Sequence, residues 1–137
     1  MNLTTLRQQI YTIGATVSGS NGFYYEEAPE GVSFPYIVYH LVDNLNERIA
    51  VGAHTDNFII QFNIFDKRIS TSGKKIASAT IEAVALELIT KLDLGSISIP
   101  NYGTLYFKRT LMTPSTIIED GNYWMVVVRY QLYITNR

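Results

Sequence analysis

Asp56-Asn57-Phe58-Ile59-Ile60-Gln61-Phe62-Asn63-Ile64-Phe65-Asp66 is the stretch whose reading decides the fold. Its alternate positions Phe58, Ile60, Phe62 and Ile64 form an unbroken apolar row, while Ile59, Gln61, Asn63 and Phe65 form a mixed one. Period two with aromatic and β-branched residues predicts a strand with one face buried and the other partly covered. Lys67 to Gly73 then turns the chain. Ser70 or Ser72 is placed to cap a helix that carries Ala77, Ile81, Val84, Ala85, Leu88 and Leu92 on one stripe. A strand and a helix with strong apolar faces give the nucleus of an α/β sandwich.

Working outward, Leu3, Leu6, Ile10, Ile13 and Val17 recur at helical spacing and predict an N-terminal helix. Ser18 to Gly22 is a turn by composition, and Phe23-Tyr24-Tyr25-Glu26 a short strand. Pro35 starts the next strand, where a missing amide donor is tolerated. From Tyr36 to Val42 both rows are mostly apolar, which predicts a central strand. Asp43 to His54 is expected to be a long polar connection, a hairpin with a wide tip, and Asp93 to Pro100 to be irregular. A strand from Tyr102 to Met112 and another from Tyr123 to Thr135 follow, with the turn signal Asp120-Gly121 before the second. The expected order is α-β-β-β-α-β-β. The expected class is α+β, a single domain over 1–137 in which a mainly antiparallel sheet packs against two helices, at 3–13 and 74–92.

Two helices supply one stripe each, so apolar strand surface is left for a second layer or a neighbouring subunit. Composition agrees: 47% of residues are apolar and only 17% charged, against about 25% in typical domains. Ten tyrosines suit a surface dry at one end and wet at the other. The net charge of −1 provides no global field for nucleic acid or an anionic membrane. With no cysteine there is no disulfide scaffold, thiolate zinc site or thiol nucleophile. Met1 to Arg7 lacks the features of a signal peptide, and no apolar run is long enough to span a bilayer, so a cytoplasm-like compartment is expected.

The chain offers little catalytic chemistry. His40 lies on an apolar strand row and reads as a hydrogen-bonded core residue, and His54 as a loop residue. Gly31-Val32-Ser33-Phe34-Pro35 has Pro where a nucleophile elbow requires Gly. Gly73-Lys74-Lys75 lacks the leading glycine and the Ser/Thr of a P-loop. Glu26, Glu27 and Glu30 read as a solvated acidic loop. Lys67, Arg68, Lys74 and Lys75 surround the start of the main helix, where its dipole disfavours cations. They read either as a solvated turn or as a contact for an acidic partner or DNA phosphates.

Ala28-Pro29 before Phe34-Pro35-Tyr36-Ile37-Val38-Tyr39, a long loop, then Phe58 to Asp66, resembles the tail completion (tail terminator, head–tail joining) proteins of long-tailed bacteriophages. The Ser/Thr-rich turn, the Lys74–Leu92 helix and the acidic-Gly turn before the last strand extend the resemblance over nearly the whole chain. It implies a hexameric ring in the virion, assembled in the host cytoplasm, that caps the tail tube and docks to the head connector or stopper protein. DNA would pass through as cargo, with no cofactor, metal, catalysis or membrane. The family carries no chemical site to transfer. Polarity instead marks candidate partner contacts: Asp43, Asn44, Asn46, Glu47, Arg48 and His54 in the long connection, Asp120 and Gly121 in the hairpin, and Lys67, Arg68, Lys74 and Lys75 in the basic turn. The alternatives are a small-molecule-binding module or enzyme of the same shape, or another phage ring protein such as a tube subunit or connector adaptor.

Overall fold

The computed structural model describes residues 3–50, 53–67, 79–93, 95–99, 103–114, 116–118 and 123–134, with only the backbone described at 3, 43–50, 53–58, 79, 99, 103, 116–118 and 133–134. In chain order these form α1 (Leu3–Gly14), β1 (Phe23–Tyr25), β2 (Tyr36–Ala50), β3 (Ala53–Lys67), α2 (Ala79–Asp93), β4 (Ser96–Ile99), β5 (Gly103–Met112), β6 (Thr116–Ile118) and β7 (Tyr123–Ile134). The sheet order is β1-β2-β3-β7-β5-β4, with β6 on β7 beside the end of β5. Only the β1–β2 pair is parallel. This is the expected α+β architecture.

The period-two reading of β3 and β7 places the core. Ile60, Phe62 and Ile64 lie opposite Tyr130, Val128 and Val126, and all six are essentially inaccessible to solvent. Leu6 and Ile10 of α1 and Ile81, Val84, Ala85, Leu88 and Leu92 of α2 cover this one face. Both helices therefore share a side of the sheet. They suffice because the sheet curls: α1 touches strands at both ends of the order. At the β1 end the Phe23 ring lies against Gly14, where a Cβ would collide with it. At the β4 end Gln9 Nε2 donates to the Ser98 carbonyl at 2.5 Å. The concave side is filled, and no described element covers the convex side.

Four expectations need correction. The residues 43–50 and 53–54 are strand rather than loose connection, because the β2–β3 ladder continues to Ala50 opposite Ala53 past a bulge between Leu41 and Asp43. β2 is not central. It is second in the order, and β1 covers its outer edge only at Ile37–Tyr39. The stretch after α2 is not irregular throughout, since Ser96–Ile99 pairs with β5, so β4 joins β6 as a strand missing from the expected order. His40 is half-buried on the convex side opposite Gln61, outside the core. Helix α2 begins at Ala79 in the described residues. The expected start at 74–78 and the Ser70 or Ser72 cap lie outside them.

The last turn of α2 is tied to the sheet. Tyr130 Oη donates to Asp93 Oδ1 at 2.5 Å, and Arg109 lies 3.3 Å from the same carboxylate. An acidic residue at a helix C-terminus opposes the dipole, and these two partners offset that. Burial and the Asp93 hydrogen bond push the Tyr130 hydroxyl well above its ordinary pKa.

Asp66 is buried at the far end of β3, where its Oδ1 accepts the Lys67 N–H at 2.8 Å. Burial pushes its carboxyl above the ordinary 3.8, and the Lys67 amide pulls weakly the other way. An acid with a raised folded pKa costs stability as pH rises through its ordinary value and stays a cost above the raised one. Asp66→Asn, which keeps the acceptor oxygen, should therefore raise the melting temperature at pH 7 and leave it unchanged near pH 3. Calorimetry of both proteins at the two pH values checks this, and an equal shift at both would contradict it.

Candidate functional site: an open sheet face and two free strand edges

The convex face carries the second row of each strand. At its centre Arg129 Nη2 donates to Gln61 Oε1 at 2.6 Å, and Gln61 Nε2 donates to Asn63 Oδ1 at 2.8 Å. Cross-strand register makes this chain, because Gln61 lies directly opposite Arg129. The guanidinium is only half-satisfied: its Nε is buried with no hydrogen-bond partner among the described residues. The ion pairs seen among the described residues, Lys91 with Glu87 and Arg109 with Asp93, involve α2 on the other side of the sheet and do not include Arg129.

One end of the same face is aromatic. Phe34 packs between Tyr36 and Tyr123 with ring centroids 5.3 Å from each, and Tyr36 meets Phe65 at 5.4 Å. A surface with an aromatic end and a polar middle can exclude water over part of its area and hydrogen-bond over the rest. Protein–protein contacts are built this way.

Two strand edges are also open. Beyond Asn57, which lies opposite Tyr133, β3 has no β7 partner among the described residues while still pairing with β2. Among the described residues, 46–50 and 53–56 therefore form a ribbon two strands wide, roughly 15 Å long at the usual rise per residue. At the other side of the sheet, β4 covers β5 only at Gly103–Tyr106, which leaves Phe107–Met112 as an edge. Leu111 and Met112 on that edge are 40% and 42% exposed.

A groove of about 420 Å³ opens between α1 and the β1–β2 side, lined by Thr4, Arg7, Gln8, Tyr11, Tyr25 and Tyr39 among others. The Arg7 guanidinium sits 4.7 Å above the Tyr25 ring, and Tyr39 Oη donates to the Arg7 carbonyl at 3.3 Å. Burial raises the Tyr39 hydroxyl to about 12, against a smaller opposing pull from Arg7. The groove pairs no nucleophile with a base. Among the described residues no group of three or more His, Asp or Glu is placed to hold a metal.

Of the sequence-predicted contacts, Asn46, Glu47 and Arg48 lie in the β2 arm of the ribbon and His54 in the β3 arm, with Asp43 and Asn44 on β2 just inboard of it. Lys67 is exposed at the end of β3, about as far from the ribbon as that strand allows. The structure thus brings the first six together and separates them from Lys67. Arg68, Lys74, Lys75, Asp120 and Gly121 lie outside the described residues. The β6–β7 hairpin that Asp120-Gly121 predicts does form, with Ile118 opposite Tyr123. Sequence reading missed the Arg129–Gln61–Asn63 chain, whose only signal was three polar residues on the mixed rows of the two strongest strands. It also missed the Phe107–Met112 edge.

Comparison with known proteins places this architecture. No family model matches the sequence, and no curated protein matches it. The structure is similar to a chain of the virion of a native gene transfer agent particle, covering 98% of this chain and 91% of that one, with a TM-score of 0.62 and 12% identity. It is similar too to a second solved chain at 14% identity and TM-score 0.63, covering 100% of this chain and 98% of that one. At such identities the likeness is one of fold. The chain has the fold of a small α+β protein found in a virion particle, matched nearly end to end. No described helix is long and apolar enough to cross a membrane.

Proposed function

We propose that this chain is a structural protein of a phage-like particle, a tail completion protein whose copies form a ring between the tail tube and the head connector. The convex face, which no described element covers and which has an aromatic end and a buried arginine nitrogen without a described partner, carries the reading: it is surface suited to a partner. The near full-length likeness to a chain of a virion particle supports the same conclusion. In this reading the product of the protein is geometry. One ring face matches the end of the tube, stopping its growth, and the other fits the connector, with DNA passing as cargo. No cofactor, metal or catalysis is involved, and assembly takes place in the host cytoplasm before the protein enters the virion.

The groove at Arg7 is the one feature that favours the rival, a small-molecule-binding module. Electron microscopy and light scattering of the purified protein, alone and mixed with tail tubes, separate the two. Rings of about six chains that seat on tube ends are expected for the joining role, a stoichiometry at which cyclic assemblies close. A chain that stays single at high concentration and takes up a small ligand at Arg7 would overturn it.

A further inference from the structure

We propose that the outer edge of β2, from Val42 along the ribbon to Ala50, pairs as an added strand with the Phe107–Met112 edge of β5 on a second copy of this chain. This names the contact through which the proposed ring would close, and so rests on that reading.

Four observations select this partner. The first is supply: each strand edge carries backbone donors and acceptors that no described strand satisfies, and an isolated two-stranded ribbon is marginal in water. The second is direction. β2 is antiparallel to β3, β3 to β7 and β7 to β5, so β5 and β2 run in opposite senses. A neighbour held in the same orientation therefore presents its β2 antiparallel to β5, the pairing used through most of this sheet.

The third is placement. The two edges lie on opposite sides of the sheet order, so the contact is head-to-tail and leaves one donor and one acceptor edge on every copy. Contacts of that kind propagate until they close, which is how rings form. The fourth is chemistry. Along β2 from 43 to 50, Asp43 and Glu47 stand against Arg48, whereas the β5 edge carries the exposed Lys108, with Arg109 already paired to Asp93. Apolar surface sits at both ends of the contact: Val42 is 42% exposed at the base of the ribbon, facing the exposed Leu111 and Met112 of the neighbour. Lys108 and the bulge between Arg109 and Leu111 are devices that blunt an edge against indiscriminate pairing. An acidic strand answers that lysine where a neutral one would not.

The natural chain has no cysteine, which makes the test clean. Chains carrying Val42→Cys are mixed with chains carrying Leu111→Cys and treated with a short bis-maleimide. Heterodimers should form in clear excess over those from Val42→Cys mixed with Tyr11→Cys, a site on α1 that is 54% exposed. Lys108→Glu should weaken self-association about tenfold by turning one close attraction into repulsion, and Glu47→Lys in the same chain should restore it. Rings of full size whose cross-linking shows no such preference would overturn this contact and leave the ring standing. A chain that never associates would overturn both.

Discussion

Phe62→Ala is expected to destabilise the protein by about 3–5 kcal/mol, the usual cost of truncating a buried aromatic residue. Phe62 is fully buried on the middle strand pair, with its ring centroid 6.1 Å from Phe23, 5.9 Å from Tyr39 and 6.1 Å from Tyr130. These three rings come from β1, β2 and β7, so the lost side chain leaves a void that no single strand can close by shifting. Total stability for a domain is about 5–15 kcal/mol, so this one change removes a large part of it. The melting temperature should fall by roughly 10 °C or more. Ile59, next but two along the same strand but half-buried on the convex row, is the control. Ile59→Ala should cost clearly less in urea or heat. Equal losses would mean that the two faces of β3 are not differently covered.

The second large effect is on assembly. If the proposed joining role holds, removing Asn44–Ala53 should leave a folded protein that no longer joins heads to tails. The cut keeps the pairing of Asp43 with Ile59 and everything inboard of it, and leaves His54 to Phe58 as the connection. A loop of that length is ordinary for a hairpin. The described members of the buried cluster all lie outside the deleted stretch, and circular dichroism and the melting profile should stay near the parent's. Complementation of a particle lacking the natural protein supplies the functional readout. Normal particles from the trimmed chain would refute the assignment.

Both expectations depend on features that differ in how far the sequence reveals them. β3 and β7 were legible because one of their rows is apolar without a break, and α1 because its leucines and isoleucines keep helical spacing. The ribbon was not. Asp43 to His54 is polar at most positions and carries no unbroken apolar row of the kind that identifies a strand in sequence, yet it is paired across the β2–β3 ladder. β4 alternates Ser-Ile-Ser-Ile, but four residues between Gly95 and Pro100 are too few to stand out. β2 looked central because both of its rows are apolar. One row is apolar for another reason, since Tyr36 belongs to the aromatic end of the convex face.

The candidate site was legible only as polarity. Asp43 to Arg48 and His54 were picked as loop residues and turned out to share a strand pair, which changes what they offer from mobile side chains to an ordered edge. The Phe107–Met112 edge depends on β4 being short, a fact about another element. No local pattern in Lys108-Arg109-Thr110 signals it.

The central pairing also governs when the molecule can come into being. Gln61 and Arg129 are bonded across 68 positions of chain, and β3 lies between β2, made before it, and β7, made long after. Contacts so distant in sequence are slow to form, because a large loop must close before any of them is rewarded. A growing polypeptide on the ribosome therefore holds Ile60, Phe62 and Ile64 without their β7 neighbours until residues past 123 have emerged. Under the proposed role, subunits meet only after synthesis has nearly finished, which keeps half-made chains out of a ring.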